Sequence, residues 1–139
     1  MNIKAILIVL GEPNSTFSEV LFKYFNSNKY KKNKKKIILI GSVKLLKAQM
    51  KILKQKVLFN EILNVNKSEN KKINIINVDY NFKDAFSKIN INSNKYIEKC
   101  FELSLKTLKK NKNCALINGP ISKKTFLNKK FLGITEYIG

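Results

Sequence analysis

The chain has no histidine, no tryptophan and no arginine among its 139 residues, and only two cysteines. Cys100 and Cys114 have neither the number nor the spacing of a disulfide framework or a zinc site, and no imidazole is present to complete a metal cluster. That cysteine usage points to a reducing, cytoplasmic setting. Acidic residues are also scarce, nine against 28 basic ones, which gives a formal charge of +19. Such a balance ordinarily suggests a nucleic acid or an anionic membrane as partner. Every one of the basic residues is lysine, however, so the planar fork that grips phosphates and guanine edges at two points is absent. With lysine, asparagine and isoleucine dominating together, the charge reads as compositional, and neither nucleic acid nor membrane is expected as a partner. The densest basic run, residues 29–36, reads as a solvated connection. Long apolar runs are lacking too: residues 3–10 are interrupted by Lys4, are too short to span a bilayer, and are followed by no cleavage pattern.

What remains is a hydrophobic content of 44% in a length suited to one domain. Residues 3–10 read as a strand ending at Gly11, Glu12 and Pro13. Phe17, Val20, Leu21 and Tyr24 then recur at helical spacing, with Thr16 and Glu19 in capping-box form. The pattern repeats: residues 37–40 form a continuous apolar run broken by Gly41 and Ser42, and Val43, Leu46, Met50 and Leu53 make one helical stripe that Ser42 is placed to cap. A third strand is expected over 73–78. Asn92 to Asn94 offer caps for a long helix carrying Ile97, Cys100, Phe101, Leu105 and Leu108. Residues 114–117 read as a short buried strand entering Asn118, Gly119 and Pro120, with a helix or turn over 121–127. Residues 54–70 show no clear period and stay unassigned.

Apolar strands alternating with amphipathic helices imply an α/β fold in three layers, α/β/α, around a mainly parallel sheet. Ligands of such sheets bind beyond the carboxyl ends of the strands, where residues 11–13, 41–42 and 118–120 all fall. Taken alone, residues 118–123 are a turn with a compact backbone, a hydroxyl and an ammonium, suited to a phosphate or carboxylate but equally to an ordinary strand-to-helix turn. Thr135 can cap a helix or face a ligand.

The run Ala115-Leu116-Ile117-Asn118-Gly119-Pro120-Ile121-Ser122-Lys123, followed by Gly133-Ile134-Thr135-Glu136-Tyr137, resembles the core signature of the 4-hydroxythreonine-4-phosphate dehydrogenase family. Gly11-Glu12-Pro13 resembles that family's opening motif, and Gly41 with Leu45 and Leu46 its second strand and helix. The resemblance implies an isocitrate/isopropylmalate dehydrogenase-like fold that is incomplete here, residues 1–139 being the amino-terminal part of the dehydrogenase domain. The implied activity is oxidation of 4-phosphooxy-L-threonine by NAD or NADP with loss of carbon dioxide, on the route to vitamin B6. A divalent metal would assist, its ligands lying outside this chain, and the complete protein would be a homodimer. Thr135 takes a substrate-binding position, with Lys123 and Gly119 as further candidates; catalytic and cofactor-binding residues are not assigned. Ile134 stands where the family commonly has histidine, and Asn14-Ser15-Thr16-Phe17-Ser18 replaces its glycine-rich continuation. Two alternatives stay open: another phosphate-handling α/β enzyme such as an acyltransferase, suggested by these departures, and a lysine-rich module for nucleic acid or anionic surfaces, suggested by the charge.

Overall fold

The computed structural model describes residues 2–127. Strands β1 (Ala5–Val9), β2 (Lys36–Gly41), β3 (Phe59–Glu61), β4 (Ile73–Asn77) and β5 (Cys114–Asn118) form one sheet in the order β3-β4-β2-β1-β5. Each pairing is parallel, with Ile8 opposite both Leu39 and Ile117. The helices are α1 (Phe17–Phe25), α2 (Asn28–Lys31), α3 (Val43–Leu53) and α4 (Asn94–Lys110).

Successive side chains of a strand point to opposite faces, and in this sheet both faces are covered. Leu7, Val9, Ile38 and Ile40 pack with Ile97, Cys100 and Phe101 of α4 on one side. Ile8, Ile37, Leu39 and Ile75 pack with Leu21, Phe22 and Phe25 of α1 and Leu46 of α3 on the other. Two-sided burial is why β1 and β2 read as unbroken apolar runs rather than as alternating ones. The expected three-layer α/β/α architecture is therefore the one present.

Two local expectations give way to other contacts. Thr16 does stand at the start of α1, but its side chain makes no cap; Ser15 Oγ accepts the Phe17 N–H at 3.3 Å instead, and Glu19 turns to Lys23 at 3.4 Å. At the start of α4 the flanking Ser93 makes no cap either; its hydroxyl proton is shared between the Asn90 carbonyl at 3.0 Å and the Glu12 carboxylate at 3.3 Å. Ser42 caps α3 as the sequence suggests, its Oγ accepting the Leu45 N–H at 3.1 Å. The unassigned stretch holds the three-residue β3 and a 3-10 turn at Val65–Lys67. Asn74, fully buried within β4, ties that stretch down: its Oδ1 accepts from Asn60 Nδ2 and the Glu69 N–H, and its Nδ2 donates to the Ile37 carbonyl. Residues 121–127 form a turn, not a helix, with Ser122 Oγ accepting the Thr125 N–H at 3.1 Å.

The two thiols differ in setting. Burial pushes Cys100 up to about 12, the larger influence over a hydrogen bond with Tyr96 that acts the other way, and burial also raises Cys114. In the unfolded chain Cys100 regains its ordinary value of 9.0 and ionises first, so the folded state holds the extra proton above that pH. Stability contributed by the neutral thiol is present below about 9 and is lost as pH rises toward about 12. In native chain at pH 8, a thiol reagent is expected to label Cys114 and leave Cys100 intact until denaturant is added; mass spectrometry of the labelled peptides reads the result.

Candidate functional site

From β1 the chain moves to β2 and out to the edge strand β3, steps back to β4 between them, and passes through α4 to β5 on the opposite side of β1. The carboxyl ends of β1 and β5 thus flank the point where strand order reverses, the place at which open parallel sheets receive ligands.

Two of the three loops singled out in the sequence meet there as one unit. The Gly119 N–H donates to the Val9 carbonyl at 2.7 Å, and the Glu12 N–H to the Pro120 carbonyl at 2.8 Å. Gly11 adopts φ +74°, and a Cβ on it would lie 2.5 Å from the Pro120 oxygen. A Cβ on Gly119 would overlap the Leu10 carbonyl oxygen. Each glycine makes room for the other loop's backbone. The missing side chains serve the approach of chain to chain, and Gly119, a candidate substrate contact, takes part in that packing.

Glu12 follows Gly11 and is 3% exposed. Its carboxylate accepts the Asn14 N–H at 2.7 Å and the Ser93 hydroxyl at 3.3 Å, which offsets much of the cost of a buried charge. Asn14 extends the link: its Oδ1 accepts the Ser87 N–H at 3.0 Å. The segment between β4 and α4 is in this way bound onto the first loop. The Tyr80 ring of that segment lies tilted against Tyr96, ring centroids 4.6 Å apart, and stacks with Phe82 at 5.7 Å. Burial, and secondarily the charge of Glu12, raises the Tyr80 phenol above its usual range. Tyr96 is pushed up further by deep burial, and its hydroxyl accepts the Ser42 N–H at 2.9 Å.

The third loop differs. With the Ser42 amide on Tyr96, the Val43 amide on Asn77 Oδ1 and the Leu45 amide on Ser42 Oγ, those donors at the start of α3 are used internally. Lys123 is exposed on the turn after β5, beyond the carboxyl edge of the sheet. Thr135 and Ile134 lie outside the described residues. Among the described residues no group of three or more histidine, cysteine, aspartate or glutamate side chains is arranged to hold a metal ion, and no helix is long and apolar enough to cross a membrane.

Sequence reasoning passed over Gln49, Ser93 and Tyr96 as parts of this region. Gln49 did carry a signal: it lies three and four residues after Leu46 and Leu45, on the buried side of α3, and is 2% exposed. A polar residue on an apolar stripe needs a partner, and its Nε2 donates to the Pro13 carbonyl at 3.0 Å.

Residues 33–139 match the family model of the pyridoxal phosphate biosynthetic protein PdxA. The match includes β5 and the signature after it but not Gly11-Glu12-Pro13. Among curated proteins none matches the chain. A 4-hydroxythreonine-4-phosphate dehydrogenase from Burkholderia phymatum shares its fold with a TM-score of 0.82 at 17% identity, over 99% of this chain and 43% of that one. The enzyme of the same name from Klebsiella pneumoniae gives a TM-score of 0.76 at 14% identity, over 96% of this chain and 42% of that one. The chain thus spans about two fifths of the length of these solved structures.

Proposed function

This chain belongs to the family of the pyridoxal phosphate biosynthetic protein PdxA, and from that premise we propose that it is the amino-terminal part of a dehydrogenase that oxidises 4-phosphooxy-L-threonine with NAD or NADP and releases carbon dioxide. The observation that carries the reading is the interlocked pair of loops at the strand-order reversal, from which the signature after β5 leads out to Lys123. In this reading Lys123 meets the phosphate or carboxylate of the substrate through its ammonium, and Thr135 is a further substrate contact through its hydroxyl.

The described residues do not form a metal site, and with no histidine in the sequence the family's metal ligands fall outside this chain. The space beside Gly11 is filled by the Pro120 carbonyl, so this glycine does not itself open room for a dinucleotide phosphate. The residues present therefore position substrate and scaffold, and no chemical step is assigned to them. A cytoplasmic homodimer is the proposed state of the complete protein.

Replacing Lys123 with alanine in the family-length protein is expected to lower kcat/KM for 4-phosphooxy-L-threonine about 100-fold, the usual loss for a charged contact to a reacting substrate. An unchanged kcat/KM would remove Lys123 from the site. The 139-residue chain alone is expected to form no reduced nicotinamide. Its lysines are proposed to be a solvated surface, so nucleic acid should not bind it near physiological salt; a steep salt dependence of binding would favour the anionic-surface reading instead.

A further inference from the structure

Beneath the first loop a small cavity, ≈ 10 Å³, has Leu10, Glu12, Pro13, Ser18, Leu46 and Gln49 among its lining residues. Three of these are polar and almost wholly buried: Ser18 at 6% exposure, Glu12 at 3% and Gln49 at 2%. Two polar atoms of that lining, Ser18 Oγ and Gln49 Oε1, have no hydrogen-bond partner among the described residues. The Gln49 amide is not free to turn over and resolve this. Its Nε2 already donates to the Pro13 carbonyl at 3.0 Å, and the reversed amide would set oxygen against oxygen.

Gln49 Oε1 can only accept, and so can the ionised Glu12 carboxylate, whose bonds to Asn14 and Ser93 leave further lone pairs. Ser18 can donate. The complementary guest is a molecule that donates twice and accepts at least once, in a volume of about one solvent probe. A hydrated cation is excluded by size. A bare divalent cation requires six or more oxygens, against the three side chains available.

We propose that a single water molecule is built into this cavity, donating to Gln49 Oε1 and to the Glu12 carboxylate and accepting from the Ser18 hydroxyl. It ties the first turn of α1 to the loop after β1 and the buried side of α3, which the bond from Gln49 to Pro13 already joins to each other. The water completes the support of Glu12, and through Glu12 the seating of Gly11 against Pro120. Gln49 and Ser18 are positioning residues for that loop. The inference stands on the packing of the fold and is independent of which reaction the protein catalyses.

A high-resolution crystal structure of the 139-residue chain tests it first. One water within about 2.7–3.2 Å of both Ser18 Oγ and Gln49 Oε1 is expected. A dry cavity, or a direct Ser18 to Gln49 hydrogen bond, would overturn the proposal. A double-variant cycle tests it in solution. Ser18→Ala and Gln49→Met each remove a partner of the same molecule, so their shifts in urea midpoint should sum to more than the shift of the double variant. Additive shifts would contradict a shared water. Hydrogen exchange separates bridging from simple helix packing: in Ser18→Ala the Asn14 amide, which Ser18 does not bond, should exchange several-fold faster. Unchanged exchange at Asn14 would argue against the bridge even where the variant is less stable.

Discussion

Gly11→Ala is expected to destabilise the chain by about 2–5 kcal/mol, read as a lower urea midpoint with an unchanged denaturant slope. Two costs combine. A left-handed residue other than glycine loses about 1–2 kcal/mol, and Gly11 sits at φ +74°. The new Cβ would also stand 2.5 Å from the Pro120 oxygen and 2.9 Å from the Gly119 carbonyl carbon. These are backbone atoms that cannot swing aside, and overpacking of this kind costs about 1–3 kcal/mol. Gly11→Asn divides the two contributions, because asparagine tolerates a left-handed backbone yet keeps the Cβ. If the clash dominates, asparagine should be no better than alanine. Gly119→Ala is the companion case: steric overlap with the Leu10 carbonyl without the unfavourable φ, so that its loss reads the steric cost alone. Full stability in Gly11→Ala would mean that the two loops do not meet as described.

Phe101→Ala is expected to cost about 3–5 kcal/mol. The ring is fully buried among β1, β2 and α4 side chains, so its removal leaves a cavity in the layer that holds α4 against the sheet. The effect reaches the candidate site. Phe101 stacks with Phe126 at a centroid separation of 6.1 Å, and Phe126 belongs to the Ser122 turn that carries Lys123. Faster amide exchange at Phe126, whose N–H donates to the Ser122 carbonyl at 2.8 Å, should accompany the loss of stability. Loss of global stability with exchange at Phe126 unchanged relative to the rest of the chain would separate the turn from the core.

The architecture was legible because two physical signals coincide in the sequence. Residues 37–40 are apolar without alternation, which a sheet covered on one face only does not produce, and each such run ends at glycine or asparagine before a helical stripe. The edge strand β3 escaped notice because Phe59, Asn60 and Glu61 are partly or fully exposed and are fixed largely by pairing with β4, a partner distant in local pattern. The capping box at Thr16 and Glu19 failed for a related reason. Local hydrogen bonds compete, and Ser15 and Lys23 offer Phe17 and Glu19 alternatives that spacing alone does not rank.

The candidate site was legible in part. That residues 11–13 and 118–120 lie at strand ends follows from strand assignment, but that they interlock depends on β5 pairing with β1 after a long crossover, which no local window reveals. That the two glycines make room for each other's loops is a property of the tertiary fold. Glu12 was part of a motif, yet its burial and its bonds to Asn14 and Ser93 come from the tertiary fold. Asn14, which replaces a residue of the family's glycine-rich continuation, gains a use of its own by holding Ser87.

We propose that this fold and these loops form part of a dehydrogenase of phosphorylated hydroxy amino acids. The most direct measurement is formation of reduced nicotinamide by the family-length protein containing this chain, supplied with 4-phosphooxy-L-threonine, NAD or NADP and a divalent metal. Turnover that is abolished by chelation is predicted, together with none from the 139-residue chain under the same conditions. Acyl transfer without any nicotinamide reduction by the family-length protein, or metal-dependent turnover by the isolated chain, would contradict the account.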